Sequence, residues 1–141
     1  MRHLALLAAL IATPASAGEI IDRGFHYGGY RPAAPHELEV RFGSFCCGPD
    51  RTGLEQVTAL IVGSPAPSLA ESWGWGREGE RSIGLRFRTA ADRAAFACQL
   101  ERLRKARAAE QAASGKPGGK PLFSVTDASG KPVPGCRPGR A

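Results

Sequence analysis

The residues of this chain best suited to covalent chemistry are its four cysteines: Cys46 and Cys47 stand side by side, with Cys98 and Cys136 far downstream. Thiols form disulfides, hold soft metals or attack as thiolates, and spacing helps to tell these uses apart. Dithiol redox sites commonly separate their cysteines by two residues, at the start of a helix. Cys46 and Cys47 have neither that spacing nor that position. Adjacent residues of an extended chain point to opposite sides, so the two sulfurs read as the ends of two separate links. An even set of cysteines in an exported chain of this size forms a disulfide framework.

The N-terminus indicates the compartment. Arg2 supplies a positive start, residues 4–11 (LALLAALI) an apolar run, and Ala15, Ser16 and Ala17 a small-x-small cleavage pattern. Residues 1–17 are expected to be a signal peptide cut after Ala17, delivering the protein to the periplasm or the medium. A lipoprotein signal would need a cysteine just after the cut, and Gly18, Glu19 and Ile20 offer none. The apolar run is shorter than the roughly 20 residues that span a bilayer, and no later stretch is long and apolar enough, so no transmembrane segment is expected.

Other reactive side chains do not assemble into a catalytic set. Ser44 lacks a glycine-flanked nucleophile motif. His3 falls in the signal, and His26 and His36 fall on a Gly- and Pro-rich arm, where they read as surface residues without metal-site partners. Carboxylates are scattered singly, and the glycines of residues 73–76 (WGWG) belong to a strand and hairpin, not to a phosphate-binding loop. The expectation is a protein that is not an enzyme, with no catalytic residue, no metal site and no cofactor.

These residues must be positioned by elements legible from periodicity. In residues 37–42 (ELEVRF), Leu38, Val40 and Phe42 alternate with Glu37, Glu39 and Arg41, the pattern of a strand with one buried face. Thr52 and Glu55 form a capping box opening a helix whose stripe is Leu54, Val57, Leu60 and Ile61, and Gly63, Pro65 and Pro67 end it. Residues 69–75 and 81–88 flank the loop 76–79 (GREG) as a hairpin, with Ile83, Leu85 and Phe87 on one parity. Thr89 and Asp92 mark the N-cap of a second helix reaching about Ala113, with the stripe Phe96, Leu100 and Leu103. A flexible linker follows at residues 114–121. Residues 122–126 (LFSVT) read as a strand, and residues 131–133 as a short C-terminal edge strand.

The order of these elements then points to an α+β fold, a ferredoxin-like split βαβ (βαββαβ) antiparallel sheet with two helices on one face plus that edge strand. The domain plan is a signal at 1–17, an arm at 18–36 holding Phe25, Tyr27 and Tyr30, one disulfide-stapled domain at 37–136 and a frayed tail at 137–141. In this layout Cys46 shares the inward parity of Phe42 and is expected to meet Cys98 on the helix layer, leaving Cys47 for Cys136. A bulge at Gly43 or Gly48 would reverse that assignment.

Charge and exposure suggest binding. The chain carries 19 basic and 13 acidic residues, formally +6; loss of the signal with Arg2 leaves 18 against 13, or +5. The outward parity of the central strands places Arg41, Arg86 and Arg88 beside Glu39 on an open, net basic sheet face, with Trp73 and Trp75 at its border. The expected partner is an acidic envelope protein or an anionic cell-wall or lipid surface. Ferredoxin-like RNA-binding domains stack bases on aromatics of this face, where this chain has arginines, and export also argues against nucleic acid.

In layout, cysteines after a first strand, the chain resembles the small heavy-metal-associated domains, periplasmic mercury carriers among them. That resemblance implies an alternative, thiol metal binding at Cys46 and Cys47. The chain departs from the pattern because those domains carry Cys-x-x-Cys, and because no Met precedes the pair here.

Overall fold

Leu38, Val40 and Phe42 lie at the centre of the core, each no more than 2% exposed, because β2 (Leu38–Phe42) is flanked on both edges by other strands. The computed structural model describes residues 18–115 and 120–136. The expected signal peptide, part of the linker and the C-terminal tail lie outside these residues.

β3 (Pro67–Gly74) and β4 (Arg81–Phe87) form the expected hairpin, and β4 pairs with β2 in the register Leu38↔Leu85 and Val40↔Ile83. β5 (Ser124–Asp127) closes the other edge of β2 through Val40↔Val125. Leu38, Val40, Phe42, Ala70, Ile83, Leu85 and Phe87 thereby share one face of the sheet. They cluster with Val57 and Ile61 of α1 (Arg51–Val62) and Phe96, Ala97 and Leu100 of α2 (Ala90–Ala113). The architecture is α+β, a five-stranded mixed sheet in the order β1-β3-β4-β2-β5 with two helices.

Four local expectations are corrected. The sheet is not wholly antiparallel, because β1 (Ile20–Phe25) adds parallel to β3 with Ile20↔Ala70 and Ile21↔Glu71. These residues belong to the stretch expected as an arm, yet Ile20 packs on the core and anchors an edge strand. The C-terminal edge strand reduces to one bridge, Thr126↔Pro132, with Val133 N–H donating to Val125 O at 3.1 Å. Pro132 has no N–H with which to extend a ladder.

α1 starts earlier than the Thr52 capping box, with Asp50 as its N-cap. The Asp50 carboxylate makes no cap hydrogen bond; it accepts two from Arg107 of α2, at 2.8 and 2.9 Å. Asp50 is 2% exposed, and a buried carboxylate needs a paired charge. The hydrogen bond to Asp50 is the main cause that raises the Arg107 pKa above its ordinary value, with Glu110 adding to it and burial opposing it. The expected Thr89 cap of α2 is present, accepting from Asp92 N–H at 3.0 Å.

The fourth correction is the disulfide pairing. Cys98 is joined to Cys136, with Cα atoms 4.7 Å apart, while Cys46 and Cys47 are both free and exposed. β2 ends at Phe42, so alternation no longer governs the direction of Cys46 in the loop beyond it. Cys98 stands instead over the opposite end of the strand, around a cavity that it shares with Leu38, Asp127, Val133 and Cys136.

Candidate binding site

The sheet face away from the helices carries Glu71 and Trp73 of β3, Ser82, Gly84 and Arg86 of β4, and Glu39 and Arg41 of β2. Part of it is roofed. After β1 the chain crosses this face: His26 N–H donates to Gly74 O at 2.8 Å, and Glu37 N–H to Leu85 O at 2.8 Å where β2 begins. Between these two anchors His36 is buried, contrary to the surface position expected from the arm's composition.

Gly84 makes room for it. A Cβ at that position would lie 2.2 Å from His36 Nδ1, so only glycine lets the imidazole lie on the strand. His36 stacks on Trp73, and its Nε2 donates to Glu71 Oε2 at 2.6 Å, the ionised carboxylate being able only to accept. Arg23 Nε donates to the other oxygen of Glu71 at 2.8 Å. Burial pushes the Glu71 carboxyl up, but the hydrogen bonds from His36 and Arg23 outweigh it and hold the group below the usual carboxylate range. Tyr30 completes the roof, its ring 5.3 Å from Trp73 and 5.0 Å from His26.

Beside this roof the face opens into a cleft of about 750 Å³. The sheet residues Trp73, Glu39 and Arg41 form its floor together with Trp75, and it is also lined by Tyr27 and Tyr30 of the arm, Phe45 of the loop after β2, and the hairpin residues Arg77, Glu78 and Glu80. Tyr27 and Phe45 are 73% and 87% exposed at its border. The Arg41 guanidinium sits 4.0 Å from the centre of the Trp75 ring, a cation–π contact. The Trp75 Nε1 is buried and finds no acceptor among the described residues.

The charges of the cleft are unequally engaged. Glu39 accepts from Ser82 Oγ at 2.7 Å, and Glu80 accepts from Glu78 N–H at 2.8 Å. Glu78 accepts from Ser44 Oγ at 2.5 Å. The Ser44 bond is the largest cause that lowers the Glu78 carboxyl; slight burial opposes it, and the backbone of Gly48 and Cys47 and the charge of Lys120 assist. Arg41, Arg77, Arg86 and Arg88 are all exposed, and among the described residues none of the four pairs with a carboxylate.

Arg41 and Trp75 are thus brought together at the cleft floor as the sequence reading grouped them. Trp73 lines the cleft but is largely buried beneath His36 and Tyr30, and Arg86 and Arg88 are exposed but outside the cleft lining. The His36, Glu71 and Arg23 cluster escaped the sequence reading. Its one available signal is Gly84 inside an otherwise regular strand, which marks a close approach by another group.

Among the described residues, no helix is long and apolar enough to cross a membrane, and no group of three or more His, Cys, Asp and Glu side chains could hold a metal ion. Compared with protein-family models, with curated proteins and with solved structures, the chain matches none.

Proposed function

We propose that the protein is exported through cleavage after Ala17 and acts in the cell envelope as a small non-enzymatic binding protein. Its contact surface is the cleft together with the arginines of the same sheet face, and its partner is an acidic protein segment. The observation that carries this reading is the asymmetry of charge. The carboxylates of the cleft are occupied by hydroxyl and backbone donors, whereas Arg41, Arg77, Arg86 and Arg88 have no carboxylate partner among the described residues. Exposed aromatic rings at the lips favour a protein segment over a bare anionic polymer, since Tyr, Trp and Phe are the side chains enriched where proteins meet.

The strand order β3-β4-β2-β5 also supports reading these four strands and the two helices as a ferredoxin-like split βαβ unit, extended by β1 at one edge. Metal binding by Cys46 and Cys47, the alternative, rests on two exposed sulfurs 2.9 Å apart. A third protein donor is missing from it among the described residues.

A photo-reactive phenylalanine analogue placed at Phe45 in cells tests the binding reading. A discrete protein adduct that disappears when Arg41 and Arg86 are both changed to Glu supports it. An adduct unaffected by the charge reversal overturns it, as does adduct formation only with cell-wall material. Mass measurement of the exported protein tests the leader, which requires a chain beginning at Gly18.

A further inference from the structure

Cys46 and Cys47 hold their sulfurs 2.9 Å apart, in a loop where both side chains are exposed. The proximity has a backbone cause. Cys47 has φ 69° and Gly48 φ 87°, two consecutive left-handed residues, and Cys47 is the one non-glycine with positive φ among the described residues. This turn cancels the divergence that an extended chain would impose on neighbouring side chains. The loop is braced by two hydrogen bonds: Lys120 Nζ donates to Cys47 O, and Ser44 Oγ, two residues before the pair, donates to Glu78. The hydrogen bond and charge of Cys47 push the Cys46 thiol up, so loss of one proton opposes loss of the second.

We propose that Cys46 and Cys47 are a reversible dithiol–disulfide site that exchanges with an incoming disulfide, while Cys98–Cys136 is the permanent link. One thiolate of the pair attacks a sulfur of the incoming disulfide. That S–S bond breaks, and the departing sulfur leaves as a thiolate and takes up a proton. The neighbouring cysteine then attacks the sulfur of the mixed disulfide, the Cys46–Cys47 bond forms, and the second half of the reagent leaves as a thiol. Two protons and two electrons pass from the pair to the reagent, and nothing else is consumed.

The two links differ in kind. A disulfide sulfur pair is about 2.05 Å apart, so ring closure requires a movement of only about 0.9 Å. Consecutive Cα atoms are fixed about 3.8 Å apart, however, short of the roughly 4.4–6.8 Å that unstrained disulfides span. Cys98 and Cys136, at 4.7 Å, lie inside that range. Strained and exposed disulfides are the more readily reduced ones, which suits the vicinal pair to cycling and the distant pair to holding α2 against the chain end. Ser44 and Glu78, which brace the loop, also line the cleft, but the exchange needs no binding partner and does not rest on the binding function.

The test is a redox titration of the purified full chain in glutathione buffers, quenched with acid, alkylated and digested with trypsin. Residues 42–51 (FGSFCCGPDR) form one tryptic peptide that contains both cysteines and neither of the others. In oxidising buffer this peptide is expected to carry no alkyl group and to be lighter by two hydrogens. It should regain two alkylated thiols at a potential where Cys98–Cys136 is still closed. With Cys46→Ser, Cys47 should accumulate a glutathione adduct, there being no second thiol to expel it. The proposal is overturned if both thiols stay alkylatable throughout or if each holds glutathione without ring formation. Links from either residue to Cys98 or Cys136, or opening of both disulfides at one potential, overturn it equally.

Discussion

The imidazole of His36 lies flat on the indole of Trp73, with ring planes 15° apart and centroids separated by 5.5 Å. This contact makes the part of the second sheet face around Glu71 and Trp73 an interior surface. Helices cover one side through an apolar layer, and the arm covers part of the other through an aromatic stack and a buried carboxylate. The second cover has few contacts, so each of them weighs heavily in holding it.

Acid should release the arm before it unfolds the domain. Glu71 has a depressed pKa, so its contribution to stability is complete above the ordinary glutamate value of about 4.3 and is lost as pH falls through its lower folded value. Tryptophan fluorescence should therefore show an acid transition below about pH 4. Glu71→Gln should weaken arm docking at neutral pH, by about 1–3 kcal/mol, and abolish this acid transition. An unchanged transition in the variant would remove Glu71 as its cause.

Gly84→Ala should displace His36, since the new methyl carbon would sit 2.2 Å from Nδ1. The expected cost is about 1–3 kcal/mol, with faster protease cleavage within residues 26–36. A protein with the same stability and cleavage rate would show that the imidazole does not rest on this strand.

Asp50 and Arg107 tie the start of α1 to the second half of α2. Asp50→Asn leaves a guanidinium that is 15% exposed without its main anion. Denaturant unfolding should show a loss of about 3–5 kcal/mol. The Arg107 contact with Glu110 on the helix surface should offset little of this. A loss under about 1 kcal/mol would mean that the pair is solvated like a surface bridge.

Replacing Cys98 and Cys136 together by Ala should cost about 2–4 kcal/mol, through the freedom returned to the unfolded chain. The same change at Cys46 and Cys47 should alter unfolding by less than about 1 kcal/mol, as exposed substitutions do. Equal losses from the two double variants would contradict the pairing of Cys98 with Cys136.

The sequence alone determined the elements whose burial repeats with a period. Leu38, Val40 and Phe42 at period two, and Val57 with Ile61 or Phe96 with Leu100 at helical spacing, can bury only one face each, and that face is decided locally. Tertiary structure alone decided what alternation does not reach. Cys46 lies past the end of β2, where parity lapses, so its sulfur met its neighbour and not α2. The polar and aromatic residues of the arm have no repeat, and the docking of His36 depends on a gap left by Gly84, 48 residues away in the chain. Contacts of that kind arise from the shape of an assembled surface, and only the folded sheet supplies it.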